Sequence, residues 1–268
     1  MSDMNRSFAG SMPEFYDRIL VPVMFEPFAL DLVERLHEVN SGHVLEIAAG
    51  TGVVTRALAQ RLPAAVAITA TDLNPAMLDR AKSHAGMERV RWQEADALAL
   101  PFGDRLFDYV VCQFGIMFLP DKQTGFREAL RVLQTGGRFL FSVWGDREGS
   151  VFDLVANVVG QALNRDPVSL VSPAYNDIAV VKAALSTAGF ASITAEEVTK
   201  PIHSGSAREA AISMCHGGLI RAAIEAQAPG RLDEITEAAA MAIAARFGDG
   251  PIESPLRAIA FSAIRPSD

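Results

Sequence analysis

The stretch "VLEIAAGTGVVTRAL", residues 44–58, joins a short apolar run, a glycine corner at Gly50 and Gly52, and apolar positions at helical spacing. Glycines where a strand turns into a helix remove the Cβ barrier, so the backbone can turn tightly or be approached closely. Working outward, the same alternation repeats. "HVLEIA" (43–48) predicts a first strand, and Val53, Val54, Ala57, Leu58 and Leu62 one face of the next helix. "AVAITATD" (65–72) predicts a second strand. "NPAMLDRAKSHAG" then predicts a helix capped by Asn74, with Pro75 in its first turn and Gly86 at its close. "RVRWQEAD" (89–96), "FDYVVCQFG" (107–115) and "GGRFLFSVW" (136–144) predict strands three to five. Between the last two, Asp121 caps a helix that uses Phe126, Ala129, Leu130 and Leu133. Such alternation implies right-handed crossovers and a parallel sheet, whose strands are apolar because both faces are covered.

The flanks are less regular. Residues 1–13 are small and polar and are expected to be mobile. Phe25, Phe28, Leu32, Leu36 and Val39 predict a helix over 24–39. Beyond Trp144, helices are predicted over 150–164 and over 177–188, the second stopped by Gly189. Strands are predicted over 192–199 and 255–266. The segment 203–250 reads as two helices, one opening at Ser206 with Glu209 three residues on, the other using Leu232, Ile235, Ala239, Ile243 and Phe247. The expected fold is α/β, a Rossmann-like, seven-stranded, mostly parallel sheet with a helical cap from insertions after strands five and six. The expected domains are a helical flap over 1–40, a cofactor-binding core over 41–145, and the rest of the sheet over 146–268. The cap takes about 150–175 and 203–250.

The chain of 268 residues is half hydrophobic and carries a formal net charge of −8. An acidic chain without a basic stripe argues against nucleic acid as a partner. Two cysteines supply neither a disulfide framework nor a zinc cage, so no metal site is expected. No apolar run reaches the length of a membrane span, and no apolar stretch of signal-peptide length opens the chain. A cytoplasmic protein is expected.

At the corner, Asp72 stands twenty residues beyond Gly52, at the end of the second strand. In an open parallel sheet, ligands bind at the carboxyl ends of the strands, and a carboxylate there can accept both hydroxyls of a ribose. The bland alternative is a tight strand–helix turn and nothing more. A phosphate-binding loop is excluded because "GTGVVT" has no lysine. A dinucleotide fingerprint is incomplete, since Thr55 stands where its third glycine belongs.

Four motifs in order, "LEIAAGTG", "TDLNPAML", "EADALALPFGDRLFDYVVCQFGIMFLPD" and "LRVLQTGGRFLFSVW", carry a family resemblance. Residues 40–145 resemble the class I S-adenosylmethionine-dependent methyltransferases, in the ubiquinone/menaquinone-biosynthesis-like group that acts on small molecules. Weaker similarity reaches back to "FYDRILVPVMFEPFA". The family's typical first motif has glycine at the place of Ala48. The resemblance implies S-adenosylmethionine as cofactor. Glu46 would support the loop or the cofactor's amino group, and Ala48, Gly50 and Gly52 would lie along its methionine and ribose parts. Asp72 would hold the ribose hydroxyls, with Leu73 and Met77 near the adenine. Asp96 would meet the adenine amine, Ala97 would add a backbone contact, and Gln113 would border the sulfonium. Tyr16 or Phe25 would flap over the sulfonium, where a cation is attracted to an aromatic face.

The activity expected is methyl transfer to an oxygen, nitrogen or carbon of a small, partly apolar acceptor. The alternatives are a nicotinamide-dependent oxidoreductase and a non-catalytic cofactor-binding module. Such transfer needs a general base only when the acceptor atom must lose a proton. His216, in "MCHGGL", is the candidate, since two glycines break a helix there. A close helix crossing is the competing explanation. The apolar helices of 150–175 and 203–250 are expected to recognise the acceptor, to form a homodimer interface, or both.

Overall fold

The computed structural model describes residues 12–170 and 173–267. Residues 1–11 of the polar lead lie outside the described residues. The chain opens with α1 (Met12–Phe15), a π-helix (Tyr16–Phe25) and α2 (Glu26–Glu34). The sheet region follows: β1 (Gly42–Glu46), α3 (Val53–Arg61), β2 (Val66–Asp72), α4 (Pro75–Lys82), β3 (Val90–Glu94), β4 (Phe107–Gln113), α5 (Lys122–Val132) and β5 (Leu133–Trp144). Then come α6 (Val151–Leu163), α7 (Ile178–Ala188), β6 (Ala191–Ser204), α8 (Ala207–Cys215), α9 (Gly218–Gln227), α10 (Leu232–Phe247) and β7 (Ile252–Ile264).

The seven strands form one sheet in the order β3-β2-β1-β4-β5-β7-β6. The pairs from β3 through β5 are parallel, and β7 runs antiparallel to β5, from Arg138 opposite Ile264 to Trp144 opposite Ala258. The seven-stranded, mostly parallel, Rossmann-like fold expected from the sequence is the one found. The caps are local chemistry. The Asn74 side chain accepts from Ala76 N–H, Asp121 from Thr124 N–H, and Ser206 from Glu209 N–H. Each satisfies a helix-end donor that has no intrahelical partner. Gly189 ends α7 at φ 106, a conformation open chiefly to glycine.

The chain divides into two compact units. One comprises Phe28–Trp144, Tyr175–Val198 and Ala258–Asp268, and holds the paired strands. Alternation along the strands gives it two apolar faces. On one, Val44, Val54, Leu58, Ile68, Val111 and Leu140 pack with Leu32 and Leu36 from the segment before β1. On the other, Phe139 lies 4.8 Å from Phe141, which stacks on Phe261 at 5.0 Å. The second unit comprises the described residues up to Pro27, then Gly145–Ala174 and Thr199–Arg257. In it α10 packs on α8 and α6, burying Ile235, Ala239 and Ile243 with Met214, Val155 and Val159. The sequence divided the chain into three consecutive segments. The observed units interleave, because α2 buries Phe28, Leu32 and Val33 in the sheet unit while the π-helix packs with α8.

Two element readings are corrected. Residues 203–250 form three helices, because the chain breaks at Gly217 and resumes at Gly218 with φ 61. The single helix expected over 24–39 begins earlier as a π-helix, in which Glu26 N–H reaches back five residues to the Val21 carbonyl.

Candidate active site at the carboxyl ends of the strands

β1 ends at Glu46, which is 2% exposed. Its Oε2 accepts from the Thr55 hydroxyl at 2.5 Å, and its backbone oxygen from the Thr71 hydroxyl at 3.0 Å. Burial, only partly offset by the Thr55 bond, pushes its carboxyl up to about 8. The chain then turns through Ala48, which holds φ 55, a left-handed conformation in which alanine is strained and glycine is not.

Gly50 and Gly52 are both left-handed, at φ 56 and 82, but they differ in what surrounds them. A Cβ on Gly50 would meet nothing within 4 Å, so open space lies above it. A Cβ on Gly52 would stand 3.0 Å from the Ala81 Cβ and 3.3 Å from the Trp92 ring. Gly52 is thus explained by the packing of the α3 start on α4 and β3, and of the two glycines only Gly50 borders free space. Arg56 Nη1 donates to the Thr51 carbonyl at 2.8 Å and ties the loop back to α3. The Thr51 hydroxyl is buried and has no hydrogen-bond partner among the described residues.

Asp72 ends β2 across from this loop. Its Oδ2 accepts from Gly50 N–H and its Oδ1 from Asn74 N–H, both at 2.8 Å. Burial raises its carboxyl above the ordinary range while the backbone donors pull it down. A carboxylate has about four lone-pair sites, so two remain for a ligand. Leu73 beside it stays 44% exposed. Met77, by contrast, is buried in α4 and serves the core. Asp96 is exposed beyond β3 and takes Leu98 N–H on Oδ1 at 2.9 Å, with Ala97 in the turn. Gln113 ends β4 opposite Ser142 of β5.

The sheet unit therefore gathers Glu46, Ala48, Gly50, Asp72, Leu73, Asp96, Ala97 and Gln113 at the carboxyl ends of its strands or just beyond. Tyr16, Phe25 and His216 belong to the other unit. There the Tyr16 and Phe25 rings pair at 5.0 Å on the π-helix. His216 caps the end of α8, and its Nε2 lies 3.1 Å from Thr236 Oγ1. The Thr236 hydroxyl already donates to the Leu232 carbonyl at 2.7 Å, so the imidazole must be the donor in this pair. Nδ1 is left with its lone pair. Burial, then Arg221, lowers the His216 pKa and favours the neutral ring. Gly217 after it serves packing, since a Cβ there would stand 2.5 Å from Leu20 Cδ1 of the π-helix, and Gly218 serves the turn with its φ of 61. Burial pushes the Cys112 thiol up to about 12 and the Cys215 thiol up to about 11, so neither is a reactive thiolate.

Several contributors escaped the sequence reading. Phe114 holds φ 53 just past Gln113 and stacks on Trp144 at 3.6 Å, with Phe28 edge-on to both. Arg131 and Glu128 on α5 grip the loop after Asp96. Glu128 accepts from Leu100 N–H at 2.7 Å, and Arg131 donates to the Leu100 and Phe102 carbonyls. Thr55 carried a signal, a hydroxyl in the third-glycine place facing a buried acid. The others are tertiary contacts with no local spacing to reveal them.

Residues 44–137 match the family of methyltransferase domains. The chain is 36% identical over 125 residues to the ubiquinone/menaquinone biosynthesis C-methyltransferase of Zymomonas mobilis, covering 46% of this chain and 50% of that one. It is 42% identical over 99 residues to the demethylmenaquinone methyltransferase of Deinococcus radiodurans, covering 36% and 41%. The chain thus spans about half the length, or less, of these relatives. In fold, it is similar to the YcgJ protein of Bacillus subtilis, with a TM-score of 0.60, 23% identity, and coverage of 90% of this chain and 100% of that one. It is also similar to a phosphoethanolamine N-methyltransferase of Haemonchus contortus solved with S-adenosylhomocysteine, at TM-score 0.57 and 18% identity, covering 97% and 61%.

Residues 44–137 match a methyltransferase domain and are similar to the corresponding part of the ubiquinone/menaquinone-biosynthesis C-methyltransferases; the cofactor of such domains is S-adenosylmethionine. The corner fits that cofactor: free space over Gly50, spare lone pairs on Asp72 for a ribose diol, and an exposed Leu73 for an adenine face.

Proposed function

We propose that the chain transfers a methyl group from S-adenosylmethionine to an oxygen, nitrogen or carbon atom of a small, partly apolar molecule. The observation that carries this is the corner itself, where Asp72 braces Gly50 while the space above Gly50 stays open. The cofactor supplies an electrophilic methyl on a positive sulfur. The protein's task is to bind, align and exclude water, and alignment alone is worth roughly 7–11 kcal/mol. Asp72 holds the ribose hydroxyls, Leu73 packs near the adenine, Asp96 and Ala97 meet the adenine edge, and Gln113 borders the sulfonium. Glu46 supports the loop through Thr55. Tyr16 and Phe25 present aromatic faces to the sulfonium. The nicotinamide reading lacks its third glycine, since Thr55 there is committed to Glu46.

Acceptor recognition belongs to the helices of 150–175 and 203–250, whose apolar side chains suit a small molecule better than a nucleic acid. His216 is the general base where the acceptor atom must lose a proton, through the Nδ1 lone pair. Among the described residues, no helix is long and apolar enough to cross a membrane, and no cluster suited to a metal ion occurs. A cytoplasmic homodimer completes the reading.

Titration calorimetry with S-adenosylhomocysteine and with NAD tests the cofactor; binding of NAD alone would overturn the proposal. Turnover on a panel of small acceptors separates an enzyme from a binding module. For His216→Ala, we expect a rate lower by roughly 10²–10⁴ with S-adenosylhomocysteine affinity unchanged. An unaltered rate across the pH range would reduce His216 to a helix cap.

A further inference from the structure

Several arginines of this acidic chain pair with carboxylates. Arg131 pairs with Glu128 and Asp104, Arg221 with Glu225, and Arg231 with Glu234. The loop 145–150, which leads from β5 into α6, breaks that habit. Arg257 Nη1 donates to the Glu148 carbonyl at 3.0 Å, and Arg246 Nη2 stands 3.8 Å from where a Cβ on Gly149 would lie. Arg147 projects from the loop itself, its guanidinium 5.8 Å from the Phe152 ring. The Arg246 and Arg257 guanidinium groups thus reach a six-residue loop that itself carries Arg147, all within one unit. Among the described residues, none of the three has a carboxylate within ion-pair distance. The Arg147 Nη1 is also shielded from solvent and makes no hydrogen bond. The loop's own acids, Asp146 and Glu148, are exposed, and Asp146 Oδ1 is taken by Glu148 N–H.

A buried charged donor without an acceptor is costly to hold, and a fold tolerates one where a ligand completes it. A guanidinium fork matches the paired oxygens of a carboxylate or phosphate. We propose that Arg147, Arg246 and Arg257 bind the oxyanion group, carboxylate or phosphate, of a small molecule. Identifying that molecule as the methyl acceptor rests on the methyl-transfer reading.

The test is the melting temperature of the full chain against increasing inorganic phosphate or hexanoate, with sodium chloride at matched ionic strength as control. Either oxyanion should raise it beyond chloride, and which one does so tells phosphate from carboxylate. The apparent affinity should fall at least about fivefold in Arg147→Gln and further with Arg246→Gln added. Arg147→Lys, which keeps the charge and loses the fork, should lie between. Equal effects of chloride and both oxyanions, or an undiminished effect in the double variant, would overturn the proposal. S-adenosylhomocysteine affinity should stay within about twofold in every variant, since none of the three arginines is among the residues assigned to the cofactor. If the wild-type chain does not bind S-adenosylhomocysteine, the methyl-transfer reading fails and the oxyanion result stands by itself.

Discussion

Glu46 and Asp72 show how a single carboxyl group serves both fold and ligand. Glu46 titrates near 8 in the folded chain, against an ordinary value of 4.5. The folded state therefore holds the proton more tightly than the unfolded chain. This contribution to stability is full below about 4.5 and is lost as pH rises toward 8, by at most about 1.4 kcal/mol per pH unit. Glu46→Gln keeps an acceptor for Thr55 and cannot titrate. Its stability relative to wild type should rise by a few kcal/mol between pH 5 and pH 8, measured by urea unfolding at both. A gap independent of pH would show that the carboxyl does not titrate in that window. At Asp72, the sequence suggested a strand-end carboxylate that accepts the hydroxyls of a ribose. The structure gives it two backbone donors, so Asp72→Ala should lose about 1–3 kcal/mol of stability as well as at least tenfold in S-adenosylhomocysteine affinity. Calorimetry on the folded variant decides, and unchanged affinity would remove Asp72 from the cofactor site.

Among the elements, the strand–glycine–helix corner was the most legible. Local apolar period and turn chemistry specify strands β1 to β5 and the caps at Asn74, Asp121 and Ser206. The roles of its two glycines were not legible, because they depend on Ala81 and Trp92, which arrive from elements further along the chain. The same holds for "MCHGGL", where the break was visible but Leu20, nearly two hundred residues earlier, was not. A pair of substitutions separates the glycines. Gly52→Ala combines left-handed strain with a 3.0 Å contact and should cost about 1–3 kcal/mol in chemical denaturation. Gly50→Ala meets only the strain of its φ, about 1 kcal/mol, and should instead weaken S-adenosylhomocysteine binding, because its methyl enters the open space. Equal stability loss with no binding difference would mean that the space above Gly50 is not the cofactor's.

At the scale of the whole molecule, the strand-end cofactor residues and the acceptor candidates fall in different units. Substitutions at exposed, apolar or basic positions of 207–247, Met241 among them, are therefore expected to change acceptor KM or selectivity while leaving S-adenosylhomocysteine affinity within about twofold. Competition assays on a mixed acceptor panel read this directly, and a shift in cofactor affinity with selectivity intact would reverse the assignment. The strand order holds one more consequence. β7 lies between β5 and β6, so β6 has no neighbour in the sheet until β7 is in place. On a ribosome that makes about 5–20 residues per second, β6 must wait for some sixty residues while three helices emerge. For those seconds, the nascent chain presents the bare edge of β5, and a chain cut before Ile252 would lose two strands rather than one.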